Sequence, residues 1–364
     1  MILHRYFASR FALTFSAVFS ILALIMFSLD LVEQLRQFAS ADAGFGNILI
    51  LSLLNLPKGV YDILPLIMIL ATLALFLALA RSSELVITRA AGRSALKALI
   101  APAMLAFLIG VVTVAALNPI VASTSRQYEQ RVDALNGRQS TLSIGRSGLW
   151  LRQGDENGQA VIRAIGTNLD GTILNNVTFV LFDTMIGPTQ RIEADIARLE
   201  IGAWRLENAI TWDISGTNIK DIGPRFDNQI IIPSTLTANQ IRDSFGSPFA
   251  ISIWDLPAFI ERLNIAGFSA LRHEMWFHSE LAQPAFLLAM VLIGACFTLR
   301  HQRGGKTGIM ILLAILVSFG VYFLRNFALV MGENGQIPIV LAAWAPPFAT
   351  IGIALGVLLH NEDG

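Results

Sequence analysis

Charge is scarce in this chain. Asp, Glu, Lys and Arg make up 14% of its 364 residues, and 26 basic side chains are balanced by 26 acidic ones. A formal charge of zero argues against a nucleic-acid role, which needs a basic face. Cysteine is nearly missing too: Cys296 stands alone, inside an apolar run. No intramolecular disulfide is therefore possible, and an exported domain must be stable without one. Hydrocarbon takes the place of charge. Hydrophobic residues are 54% of the chain and mean hydropathy is +0.61, which suits a bilayer better than water.

Catalytic signatures are also lacking. His273-Glu274-Met275-Trp276-Phe277-His278 spaces its histidines five apart. Five residues turn a helix by about 500°, so the imidazoles point to different sides. A zinc protease needs i,i+4, and an interfacial belt with Trp276 is the better reading. Gly304-Gly305-Lys306-Thr307 looks like the end of a P-loop, but Arg300 stands where the first glycine belongs. An apolar span precedes it rather than a strand. No Gly-x-Ser-x-Gly elbow occurs. The expectation is a non-enzymatic chain with no cofactor, no metal and no nucleotide site, driven by energy from elsewhere.

Six apolar runs are long enough to cross a membrane, which takes about 20 residues each. They are Phe11–Val32, Ile48–Ala80, Ala98–Ala122, Leu281–Leu299, Gly308–Val330 and Ile339–Leu359. The first is too long for a signal h-region, and Asp30 and Glu33 stand where a cleavage site would need small residues. The second carries Pro57, Lys58, Asp62 and Pro65, so its first two turns should lie at the interface or bend before the span proper. Cations near span ends set orientation. Arg5 and Arg10, then Arg81, Arg89, Arg93 and Lys97, then Arg300, Arg303 and Lys306 all fall on one side. The short connections 33–47 and 331–338 offer only Arg36. Both termini are expected in the cytoplasm, and residues 123–280 across the membrane. Gly352-Ile353-Ala354-Leu355-Gly356 fits a close helix contact, within the chain or with a partner.

Between the third and fourth runs the pattern changes to short, near-alternating apolar stretches broken by turn signals. They include 148–153, 160–165, 177–183, 191–199, 203–206, 211–214 and 229–232, with turns at Asn157-Gly158 and Gly187-Pro188. Many strands without helices between them predict a sandwich or roll. A helix over 123–135 should extend the third run, and another, Trp254–Ile265, should start near Leu256-Pro257. The fold class is an α-helical membrane protein with an inserted all-β domain. Its segments are 1–135, 136–255 and 256–364.

One polar interruption separates the second and third runs: Arg81-Ser82-Ser83-Glu84-Leu85-Val86-Ile87-Thr88-Arg89-Ala90-Ala91-Gly92-Arg93. Ser82 or Ser83 can cap a helix start. Glu84 follows in the first turn, where the helix dipole favours a carboxylate. Gly92 suits the left-handed residue that ends a helix. This reads as a two-turn helix lying across the cytoplasmic membrane face, or as a positive hairpin that only sets topology.

The stretch resembles the cytoplasmic coupling helix of the LptF/LptG permeases of lipopolysaccharide export. The likeness covers nearly the whole chain. It includes His4-Arg5-Tyr6, Val32-Glu33-Gln34-Leu35, Leu56-Pro57-Lys58 and Gln283-Pro284, and it looks closer to the LptG side of the family. The resemblance implies a jellyroll-like periplasmic domain and an LptF-type partner. It also implies an LptB-type ATPase dimer, an LptC-type bitopic protein, and lipopolysaccharide as cargo. Ser83, Glu84, Leu85, Arg89 and Gly92 would couple to the ATPase. A lateral gate between the first and fifth spans would admit lipid.

Four arginines are placed where lipid phosphate could meet them: Arg36, Arg126, Arg131 and Arg325. Guanidinium grips phosphate bidentately. Snorkelling or local salt bridges, with Glu129 and Asp133 beside the third run, are the alternative. The family's rim beside the first span is cationic; Arg36 matches it, but Gln37 follows and residues 38–43 carry no cation. Arg325 lies inside the fifth run, and a pair with Asp30 or Glu33 would latch the gate shut. The expected function is extraction of lipopolysaccharide from the inner membrane. The alternative is a mechanotransmitter that passes ATPase work to a periplasmic event without moving lipid.

Overall fold

The computed structural model describes residues 2–38, 44–82, 84, 87, 94–135, 142–145, 148–155, 158–168, 171–183, 187–214, 223–234, 236–237, 241, 247–266, 269–299 and 307–363. The chain forms two compact units. One comprises residues 1–135, 249–254 and 271–364; the other comprises 136–248 and 255–270. The expected boundary at 255/256 is thus shifted. The short stretch 249–254 belongs with the helices, and the helix after it belongs with the sheet.

Nine helices are described: α1 (Ile2–Gln37), α2 (Phe45–Asp62), α3 (Leu64–Arg81), α4 (Ala95–Val112), α5 (Asn118–Leu135), α6 (Leu256–Ala266), α7 (Leu271–Thr298), α8 (Thr307–Glu333) and α9 (Ile339–Asp363). Six spans are long and apolar enough to cross a membrane: in α1, in α3, in the α4–α5 rod, and in α7, α8 and α9.

The over-long second run does break, at Ile63. Pro65 sits in the first turn of α3, where its missing N–H is harmless, whereas deeper in a helix it would clash with the turn before it. The segment before the break is a full α2 rather than two interfacial turns.

The third span contains a π-helical turn, Thr113–Leu117, between α4 and α5. Pro119 follows it. Proline has no N–H to give the Ala115 carbonyl four residues back, and a widened turn is a common response. The Trp254 indole donates to that carbonyl at 3.2 Å.

In the helical unit, α7 is central. It packs against α3, α4, α8 and α9. Small residues set the distances. A methyl on Gly110 of α4 would stand 2.5 Å from Pro284 Cα of α7, and one on Gly294 of α7 would stand 2.8 Å from Thr72 of α3. One on Gly332 of α8 would meet Met275 and Ala342. Close backbone approach is how membrane helices gain packing energy without a hydrophobic drive.

In the other unit the described strands form one antiparallel sheet in sequence order. They are β1 (Leu142–Gly145), β2 (Gly148–Asp155), β3 (Gly158–Thr167), β4 (Ile173–Asp183), β5 (Gly187–Glu200), β6 (Ala203–Asp213) and β7 (Arg225–Pro233). Gly158 pairs with Asp155; Asn157 of the expected turn lies outside the described residues. The buried face carries Ile162, Phe179, Ile192, Trp204 and Leu206, and α6 adds Leu263.

The ladder skips one position in strand after strand. Pairing passes over Ile165 and Asn176 between β3 and β4, and over Asp195 and Asn208 between β5 and β6. Asn176 and Asn208 have φ of 51° and 53°, a left-handed conformation that asparagine tolerates better than most side chains. Each skip flips the alternation, so Leu206 and Ala209 both point inward on β6.

Candidate functional site

Two polar clusters stand out in the helical unit. The first joins the start of α1 to the stretch after α3. Ser82 ends α3, with φ −80° and ψ 1°. Its hydroxyl donates to Glu84 Oε1 at 2.9 Å. The Tyr6 hydroxyl donates to Glu84 Oε2 at 2.8 Å, and Arg10 Nε donates to the Tyr6 oxygen at 3.0 Å. Arg10 Nη2 is 3.9 Å from Glu84 Oε1. Glu84, expected to couple to the ATPase, also makes contacts inside its own chain. Ser83, Leu85, Arg89 and Gly92 lie outside the described residues. Ser94 supplies the serine cap seen here, accepting from Lys97 N at 3.3 Å at the start of α4.

The second cluster is buried between spans. Glu280 of α7 is 2% exposed. Its Oε2 accepts from the Tyr61 hydroxyl of α2 and, at 3.1 Å, from Asn118 Nδ2 of α5. Asn118 Oδ1 in turn accepts from Ile253 N at 2.8 Å. Arg325 of α8 reaches the same face of α7: its Nη2 donates to Gln283 Oε1 at 2.9 Å and to the Ser279 carbonyl at 3.5 Å. Its guanidinium carbon lies 4.5 Å from the centre of the Phe286 ring. A charge in a span is expensive unless paired or set in a cavity, and here Arg325 and Glu280 are each held by polar atoms of neighbouring helices. Beside this cluster Phe249 lies between Lys58, whose Nζ is 3.7 Å from the ring centre, and Trp276, at 6.3 Å edge-on.

In this structure Arg325 meets neither Asp30 nor Glu33, the two partners of the expected latch. Arg325 is 8% exposed and turned toward α7. Asp30 Oδ1 accepts from Asn55 at 2.7 Å, and Glu33 pairs with Arg36 at 3.2 Å. The reason is burial: a guanidinium among apolar helices takes the nearest acceptors, and α7 presents two. Arg36, Arg126 and Arg131 are exposed. Arg126 Nε also donates to the Ala122 carbonyl of its own helix at 3.4 Å. Gly352 and Gly356 meet nothing within 4 Å, so their contact is not within the described chain.

Sequence reasoning missed Glu280, Asn118 and Tyr61. It started the fourth span at Leu281, ten residues after α7 begins, and so left Glu280 outside the span. The signal was available: α7 begins at Leu271, and an acidic residue inside a span is a functional candidate by default. Among the described residues no group of His, Cys, Asp or Glu is arranged to hold a metal. What the two clusters can do is fix helices to one another and hold charge out of water.

The family model described as "Lipopolysaccharide export system permease LptF/LptG" matches residues 5–360. The chain belongs to that family. It is 25% identical over 362 residues to the lipopolysaccharide export system permease protein LptG of Haemophilus influenzae, covering 95% of this chain and 96% of that one. It is 24% identical over 370 residues to the LptG protein of Escherichia coli strain K12, covering 99% of each. Six spans with a sheet domain inserted between the third and fourth are therefore the architecture of a permease of this family.

Proposed function

We propose that this chain is one permease subunit of an ABC-type exporter in a bacterial inner membrane, and that its cargo is lipopolysaccharide. The observation that carries the reading is the family match across residues 5–360. The cation bias at the span ends supports cytoplasmic termini and a periplasmic sheet domain. An LptF-type permease would close the cavity. An LptB-type ATPase dimer would act on residues 82–92, and an LptC-type protein would receive lipid on the way to a periplasmic bridge. The ATPase is a separate subunit. Arg36, Arg126 and Arg131 are the cations exposed for lipid phosphate. Arg325 is assigned to holding α8 against α7, and Asp30 and Glu33 to polar contacts of α1 beside the gate.

The test is purification of the intact chain from native membranes in mild detergent, with mass spectrometry of proteins and lipids. The expected result is a second permease, a cytosolic ATPase, a single-span protein and a phosphorylated, multiply acylated lipid. Recovery of the proteins without enriched lipid would favour the mechanotransmitter instead.

A further inference from the structure

We propose that Tyr6 is a positioning residue for energy coupling, tying the first turns of α1 to Glu84 so that α1 moves with the stretch between α3 and α4. The proposal rests on the permease reading above. It differs from that reading in giving Glu84 a partner inside the chain.

The geometry is a relay. Arg10 Nε donates to the Tyr6 oxygen at 3.0 Å, and Tyr6 donates to Glu84 Oε2 at 2.8 Å. Ser82 takes the other carboxylate oxygen at 2.9 Å. A phenol between a guanidinium and a carboxylate makes charge-assisted bonds on both sides, shorter and stronger than neutral ones. Arg10 also stands over the Tyr6 ring, 5.5 Å from its centre. Tyr6 and Glu84 are 78 positions apart in the chain, so the relay closes a loop that contains α1, α2 and α3.

The ion pair within the relay adds little stability. Arg10 and Glu84 side chains are 54% and 30% exposed, and exposed ion pairs contribute little to folding. The relay's effect is directional. α1 packs on α3 and α4, which bracket the Glu84 stretch. Sliding contacts alone would let that stretch shift without moving α1. The relay makes the end of α1 follow it.

The experiment uses the complete exporter, purified with its ATPase and reconstituted in lipid vesicles. Wild type is compared with Tyr6→Phe, Glu84→Gln and the double variant. Phenylalanine keeps the ring contact with Phe7 and removes only the hydroxyl. ATPase co-purification should be unchanged in Tyr6→Phe. Lipid released per ATP hydrolysed should fall about fivefold or more, the low end for coupled sites. The double variant should be no worse than the weaker single, because both cut one relay. Wild-type lipid release per ATP in Tyr6→Phe, or additive losses in the double variant, would overturn the relay while leaving the permease reading intact. Failure of even the wild-type chain to recover an ATPase would sink the permease reading and the relay with it.

Discussion

Arg325 and Glu280 show what burial does to a charged residue. Neither has room to reach water, so each is held by the polar atoms that α7, α2 and α5 present. If the two groups form a buried pair, removing one leaves the other charge uncompensated, at a cost of about 3–5 kcal/mol. Arg325→Met should therefore lower the thermal midpoint of the detergent-purified chain clearly. Glu280→Leu should do the same, since it also strands the Tyr61 and Asn118 donors. The double change Arg325→Met, Glu280→Leu should lose markedly less than the sum of the two. Additive losses would show that the two groups do not interact. From the sequence, Arg325 was legible as an ionisable residue in a span. Its direction was not, because a helix of apolar residues on all sides offers no stripe to say which face is inward.

Helices and strands obeyed local rules where one residue decides. Pro65 marks the break before α3, Pro119 explains the turn before α5, and Leu256-Pro257 opens α6. They escaped the sequence where two elements decide together. The stretches 203–206 and 211–213 fall in one strand, β6, because the left-handed Asn208 flips the alternation midway without ending the pairing. Glycines divide the same way. Gly110 meets the Pro284 backbone across a helix pair, whereas Gly352 faces open space within its own chain. Gly110→Ala should cost about 1–3 kcal/mol through forced separation of α4 and α7. Gly352→Ala should be neutral or gain up to about 1 kcal/mol of helix propensity. Unfolding midpoints of the two variants check this; equal effects would mean that the α4–α7 approach is not tight.

For the whole molecule the open quantity is orientation. Lys97 is exposed near the start of α4, and Ile201 is fully exposed at the β5–β6 turn. In a Cys296→Ser background, Ile201→Cys should react with an impermeant thiol reagent on intact spheroplasts. Lys97→Cys should react only after permeabilisation. The reverse pattern would invert the topology. Six spans, an inserted sheet domain and the family were all decided by the sequence alone. Span length, strand alternation and short motifs are properties of a few neighbouring residues, and hydropathy acts on each run independently. The polar core around Glu280, the inward turn of Arg325 and the tie between Tyr6 and Glu84 were decided only by tertiary structure. Each depends on which acceptor a neighbouring helix brings within about 3 Å, the reach of a hydrogen bond, and no stretch of sequence carries that distance.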